Sequence, residues 1–258
     1  MAGSRRDFIR KLSLAALAIP LLGGSAAAQS MIKEETMTPE KFVSKGSAAI
    51  GGNFAVDPDW EAANQELISG FVGPCHFSLE QVREQLAREP RLVNARNRST
   101  DEAGIEAASH VANRGIAEFL LGSGAPYTVH CAVMLGQLEG LRGFLMRDPG
   151  LAARPGAHGI PMMFHAAISG SVDIAELLVE HGGGQDYDWA LGGAAGWHQS
   201  EMTVWLLEQG ADPNFVSRGK TALDWSMQRG ENPAIVAILR QHGGRSAEEL
   251  GISGEASQ

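Results

Sequence analysis

Eight histidines and two cysteines hold most of the chain's capacity for metal or nucleophile chemistry, and their spacing decides whether that capacity is organised locally. A zinc-hydrolase helix carries two histidines four residues apart with a glutamate between them, so that both imidazoles leave one face. Structural zinc sites use paired Cys or His at short intervals. Neither pattern occurs here. His110, His130, His165 and His198 each stand alone in a helical stretch and read as helix-surface or capping residues, so no metal and no cofactor is expected. The Gly-x-Ser-x-Gly elbow, the phosphate-binding glycine loop and the dinucleotide fingerprint are missing from the sequence as well. The glycine run between His181 and Gln185 reads as a loop after a helix, where Gly accepts the left-handed conformation. These residues predict no nucleophilic chemistry and no enzyme.

Stepping outward, the first 28 residues have a charged start, an apolar stretch from Leu12 to Leu22 and the small-residue end Ala26-Ala27-Ala28, which is the layout of a cleaved signal peptide. Pro20, Gly23 and Gly24 interrupt the apolar run, and it is too short to span a bilayer. Ser4, Arg5, Arg6, Phe8, Ile9 and Arg10 make this segment similar to the twin-arginine signal family. That resemblance implies export of an already folded protein into a bacterial periplasm, with cleavage after Ala28 and no stable membrane anchor afterwards. Cleavage would remove four basic residues and one acidic one and take the formal charge from −9 to −12. A surface of that sign repels phosphate backbones and anionic lipid, which excludes nucleic acid as an expected partner.

Residues 29–63 are polar and broken by Pro39, Gly46, Gly51, Gly52 and Pro58, and read as a linker. Asp57-Pro58 is an N-cap followed by proline at the first helical position, and helix-period apolar residues begin there. From residue 64 to 244 a helix-pair pattern recurs. Leu79, Val82, Leu86, Pro90 and Leu92 are matched by Leu138, Leu141, Leu145, Pro149 and Leu151 at a constant spacing of 59 residues. Gly159, Pro161, Met163, Ala166, Ala167 and Gly170 recur in part as Gly219, Thr221, Ala222, Leu223 and Gly230, and Gly210 to Asn214 reads "GADPN". On these motifs the chain resembles the ankyrin repeat family, with about six units, although Phe164 and Asp224 stand where that family's pattern has His. The fold implied is an all-α solenoid of stacked helix-turn-helix units joined by hairpin-like loops. Small residues at Ala108, Ala132, Ala166, Ala194 and Ser226 would let first helices approach, with Leu120, Phe144, Leu178, Leu206 and Ile238 filling the layer between. Residues 245–258 read as a C-terminal cap and tail, with one turn at Ala247 to Leu250. Cys75 and Cys131, expected in the first helices of units too far apart to bridge, are expected as buried free thiols.

The resemblance also implies where a partner would touch: loop tips and the exposed ends of first helices. Those places are Arg98, Glu102, His158, Ile160, Asp188, Arg218 and Lys220 in the loops, and His110, Leu135, Ser169, Trp197 and Arg229 on the helices. Trp197 is the expected anchor, because Trp and Arg dominate interface hot spots. Trp189, Trp205 and Trp225 are expected to pack within the array. The reading is an exported, monomeric, non-enzymatic protein-interaction module or scaffold with an unidentified protein partner, such as a co-exported redox enzyme. The alternative is a hydrolase-like enzyme working in the groove, for which His165, Asp188 and His198 would have to converge.

Overall fold

The computed structural model describes residues 49–50 and 56–252. The signal residues Arg5, Arg6 and Phe8, the cleavage site and most of the linker lie outside that range. Within it the protein is all-α, with four strands of two residues each. No helix among the described residues is long and apolar enough to cross a membrane.

Helices come in pairs. A short lead-in helix α1 (Pro58–Ala63) is started by Asp57, whose Oδ1 accepts from the amides of Asp59 and Trp60 at 2.8 and 3.3 Å, with Pro58 in the first turn. Then follow α2 (Gln65–Val72) with α3 (Leu79–Arg88), α4 (Gly104–His110) with α5 (Arg114–Gly122), and α6 (Val129–Met134) with α7 (Leu138–Leu145). The later pairs are α8 (Met162–Ser169) with α9 (Val172–Glu180), α10 (Tyr187–Gly196) with α11 (Ser200–Glu208), and α12 (Ala222–Met227) with α13 (Pro233–Gln241). Strand β1 (Ala49–Ile50) pairs antiparallel with β4 (Tyr127–Thr128), and β2 (Arg96–Asn97) with β3 (Glu102–Ala103).

Recurring local chemistry fixes this layout. Asn113, Thr128 and Ser171 cap α5, α6 and α9, each accepting from an amide of the first turn, and Thr221 with Asp224 forms a capping box at α12. At the far ends, Gly124, Gly182, Gly210 and Gly243 take positive φ, and the amide after each reaches back to the carbonyls of Leu120, Leu178, Leu206 and Leu239 at 2.8–3.1 Å. A left-handed residue is needed to aim that amide, which is why glycine recurs there. The residues spaced by 59 also repeat structurally: α3 runs into a 3-10 turn at Pro90–Asn94, and α7 into one at Pro149–Ala153.

The first helices α4, α6, α8, α10 and α12 pack in succession, and α7, α9, α11 and α13 form the layer behind. Ala108, Ala132, Ala166, Ala194 and Ser226 are fully buried, as close approach of the first helices requires. Leu120, Phe144, Leu178 and Leu206 fill the space between the layers, but in the last pair Leu239 does so and not Ile238, because Leu239 is the one aligned with the glycine cap. Apolar packing falls into two clusters, one built from α2 to α6 together with Ile168 of α8 and one from α6 to α13. Cys131 sits in α6 as expected, whereas Cys75 lies in the 3-10 turn Pro74–His76; both are buried free thiols pushed up to about 12 by burial. The expected turn at Ala247 to Leu250 is present, closed by the amides of Leu250 and Ile252 on the carbonyl of Ala247.

Candidate metal centre and adjoining cavity

His76 ends the 3-10 turn after α2, Glu102 opens β3, His110 is the last residue of α4, and His158 sits on the 3-10 turn Ala157–Gly159. The fold brings these four together. Around Oε1 of Glu102 stand His110 Nδ1 at 3.1 Å, His158 Nε2 at 3.2 Å and His76 Nε2 at 3.7 Å. Donor atoms bonded to one transition ion at ~2.0–2.2 Å lie roughly 3–3.5 Å from one another, and the contacts of His110 and His158 with Glu102 fall in that range while that of His76 is slightly longer. His76, Glu102 and His110 form the tightest trio, with donor atoms all within 4.8 Å of each other.

Each ligand is held by its own surroundings. Nδ1 of His76 faces the carbonyls of Val72 and Gly73 at 3.2 and 2.9 Å, which are free acceptors at the end of α2. A carbonyl only accepts, so Nδ1 carries a proton and Nε2 is turned toward Glu102 and His110, the orientation seen in metal-bound histidines held by a backbone carbonyl. Glu102 is fixed by the β2–β3 pairing opposite Asn97, and this hairpin is tied by Arg96 to the carbonyl and carboxylate of Asp101 and, at 2.7 Å, to Glu106. Asp101, His158 and Arg218 each take positive φ, at 51°, 57° and 52°, in three loops that converge here. Left-handed backbone in a non-glycine residue is uncommon and gathers at functional positions.

The electrostatics leave a deficit of positive charge. Glu102 is 3% exposed at its side chain, and its Oε1 has no hydrogen-bond partner among the described residues; the same holds for Nδ1 of His110. Burial raises the Glu102 carboxyl above its ordinary range, against the opposing pull of His76 and His158. Burial, reinforced by His76, His158 and Arg218, lowers His110 to about 4, so that it is neutral at pH 7. A neutral His110 has one proton for two neighbours. Placed on Nε2, it satisfies the 3.1 Å contact with His76 and leaves Nδ1 facing a carboxylate, lone pair to lone pair. Placed on Nδ1, it serves Glu102 and requires either a proton or a cation between the two Nε2 atoms of His110 and His76. A divalent cation among the four groups would satisfy these contacts, and imidazoles with a carboxylate suit zinc and its first-row neighbours better than calcium or magnesium.

His76, His110 and His158 also form one end of a cavity of about 470 Å³. Its walls are Phe164, Trp189, Trp197 and Trp225, with Val111 and Ile160, and Arg218 and Ser217 line it as well. Gly192 and Gly193 of α10 make part of its surface; a Cβ on Gly193 would stand 2.8 Å from Cε2 of Phe164, so glycine here lets the ring lie against the helix. Trp197 donates its indole N–H to the carbonyl of Val111 at 3.3 Å, joining α10 to the end of α4.

The structure therefore redistributes the residues expected at a partner-contact face. Glu102 and Ile160 are buried and Leu135 packs in the core, because the β2–β3 hairpin and the following loops fold against the helices. Asp188 lies in α10 and not in a loop, and accepts from the amide of Asp212 at 2.7 Å. Ser169 donates to the carbonyl of Ala166 at 2.8 Å, and Arg98 is spent on the carbonyl of Pro58 and on Glu61. Trp197 is half-buried with Arg229 stacked 4.0 Å over its ring, and Lys220 stands 4.9 Å over Trp225. Trp205 packs inside the array against Tyr187, while Trp189 and Trp225 face the cavity. The histidines depart from a surface role too. His165 is fully buried with Nδ1 donating to the carbonyl of Pro161, and His130 lies against it at a ring distance of 5.1 Å. His165, Asp188 and His198 have separate partners and do not converge; His198 bonds the carbonyl of Ser226.

What sequence spacing missed is the ligand cluster, whose members come from separate helix pairs. A usable signal was present nonetheless, since Glu102, His110 and His158 all fall at positions that the repeat pattern places on one face. Comparison with known proteins gives no matching family model and no curated protein that matches.

Proposed function

We propose that this chain is an ankyrin-type repeat protein that binds a divalent first-row transition-metal ion in its groove, with His76, Glu102, His110 and His158 as the protein ligands. The observation that carries the reading is the buried Oε1 of Glu102 ringed by three imidazole nitrogens at 3.1–3.7 Å. The repeated glycine caps and the serial packing of first helices support the ankyrin-type assignment. Export through the twin-arginine route belongs to the same proposal, since a route for folded proteins would carry a site assembled from separate units only after it is complete.

The test is calorimetric titration of the chelator-stripped full chain with zinc sulfate. One ion bound per chain at micromolar concentration or tighter, and lost in Glu102→Gln/His110→Ala, is the expected result. No uptake, or uptake unchanged in the double variant, overturns it.

A groove enzyme stands as the second reading, because the histidines line the end of the cavity and an ion there would face whatever fills it. Presentation of the rim to a protein partner, expected from the sequence, ranks below both. Trp197, its intended anchor, lines the cavity and donates to Val111.

A further inference from the structure

Resting on the metal reading above, we infer that the cavity takes a planar aromatic anion, whose carboxylate reaches the ion while its ring lies between the tryptophans. The volume, about 470 Å³, is that of a small-molecule site. Its walls select shape: Phe164, Trp189, Trp197 and Trp225 present flat faces, and the glycines of α10 leave part of one wall without side chains, so a ring system can pack closely.

Charge selects the sign. The chain carries 30 acidic against 21 basic residues, yet among the described residues no acidic side chain lines this cavity. Arg218 does line it, with no hydrogen-bond or ion-pair partner among the described residues, and Arg229 and Lys220 lie against the rings of Trp197 and Trp225. Glu102 sits behind the histidines and does not line the cavity. It is committed to the ion. An oxyanion entering between the tryptophans therefore meets a guanidinium and a metal and no opposing charge, in a setting where low dielectric strengthens both attractions. A neutral aromatic molecule would gain the stacking and leave Arg218 unpaired; a saturated carboxylate would gain the charge and lose the flat contact.

The test follows tryptophan emission of the full chain during titration with 2-naphthoate, 2-naphthylmethanol and cyclohexanecarboxylate, each with and without one equivalent of zinc, zinc uptake being measured separately by calorimetry. Expected is quenching by 2-naphthoate at least tenfold tighter than by either control, at least tenfold tighter with zinc than without, and weakened at least fivefold in Arg218→Gln, which keeps its zinc. If zinc binds and naphthoate does not, or all three probes bind alike, or zinc makes no difference to naphthoate, this inference is overturned and the metal site stands. Naphthoate binding with no zinc uptake overturns both the ion-directed pose and the metal reading, leaving an aromatic pocket only.

Discussion

Nδ1 of His110 lies 3.1 Å from Oε1 of Glu102, and neither atom has a hydrogen-bond partner among the described residues. Burial makes this carboxylate costly to hold charged, and the contacts from His76 and His158 offset that only in part. Glu102→Gln removes that charge and is expected to leave the chelator-treated protein melting no lower than the parent. It should also abolish stabilisation by zinc. The parent at free zinc about 100 times its Kd should gain about 2.7 kcal/mol, roughly 5–10 °C for a domain of this size. Thermal melts followed by circular dichroism, with and without zinc, check both halves.

Gly193→Ala tests how the cavity is shaped. The new Cβ would meet the ring of Phe164 at 2.8 and 3.0 Å and Ile168 at 3.2 Å, so the ring must move. Overpacking of this kind costs about 1–3 kcal/mol. The displaced ring has the cavity as its open side, so the variant should lose both stability in urea and quenching by 2-naphthoate, while zinc uptake persists.

His165 makes stability fall with acid. Burial holds its folded-state value at about 3, with His130 adding to the effect, whereas an unfolded histidine titrates near ~6.5. Between those two values the unfolded chain binds the proton that the folded chain refuses, so stability falls as pH drops through the window, by up to about 1.4 kcal/mol per pH unit for this one group. Burial lowers His130 in the same direction. Urea midpoints at pH 7 and pH 4.5 should separate less in His165→Gln than in the parent; an equal separation would show that other groups carry the acid sensitivity.

Leu178 and Met146 set the scale for packing. Leu178 is fully buried between the helix layers, and Leu178→Ala should cost about 3–5 kcal/mol. Met146, after α7, is 86% exposed, and Met146→Ala should stay within about 0.5 kcal/mol of the parent. Urea unfolding of the two variants side by side would show whether the array depends on its interlayer leucines as described.

Much of this fold is legible in sequence because it is local. Asp57-Pro58, Thr221 with Asp224 and the glycines after α5, α9, α11 and α13 act over four or five residues, and their side-chain types alone dictate a cap. One step was off by a single position, Ile238 for Leu239, since an Ile-Leu pair satisfies helical period either way and only the cap geometry separates them. The candidate site is legible only in outline. His76 and His110 are 34 residues apart, and metal motifs confined to one helix cannot register ligands supplied by neighbouring units. The burial of Glu102 was hidden for a different reason. A glutamate at a hairpin tip reads as solvated surface until His158 and the end of α4 are seen to close over it.

The two apolar clusters described above share α6 and α8, and the proposed ligands come from both approaches to that seam: His76, Glu102 and His110 from the elements of the first cluster, His158 from the loop that leads into α8. In the proposed repeat array each unit would sense only its neighbours, and the two ends would be free to melt at different temperatures. A single ion bonded to both sides, as proposed, would convert that arrangement into one cooperative block. Metal occupancy would then be readable far from the groove, as synchrony: hydrogen exchange in α3 and in α9 would slow together when zinc is added, and drift apart when it is withdrawn.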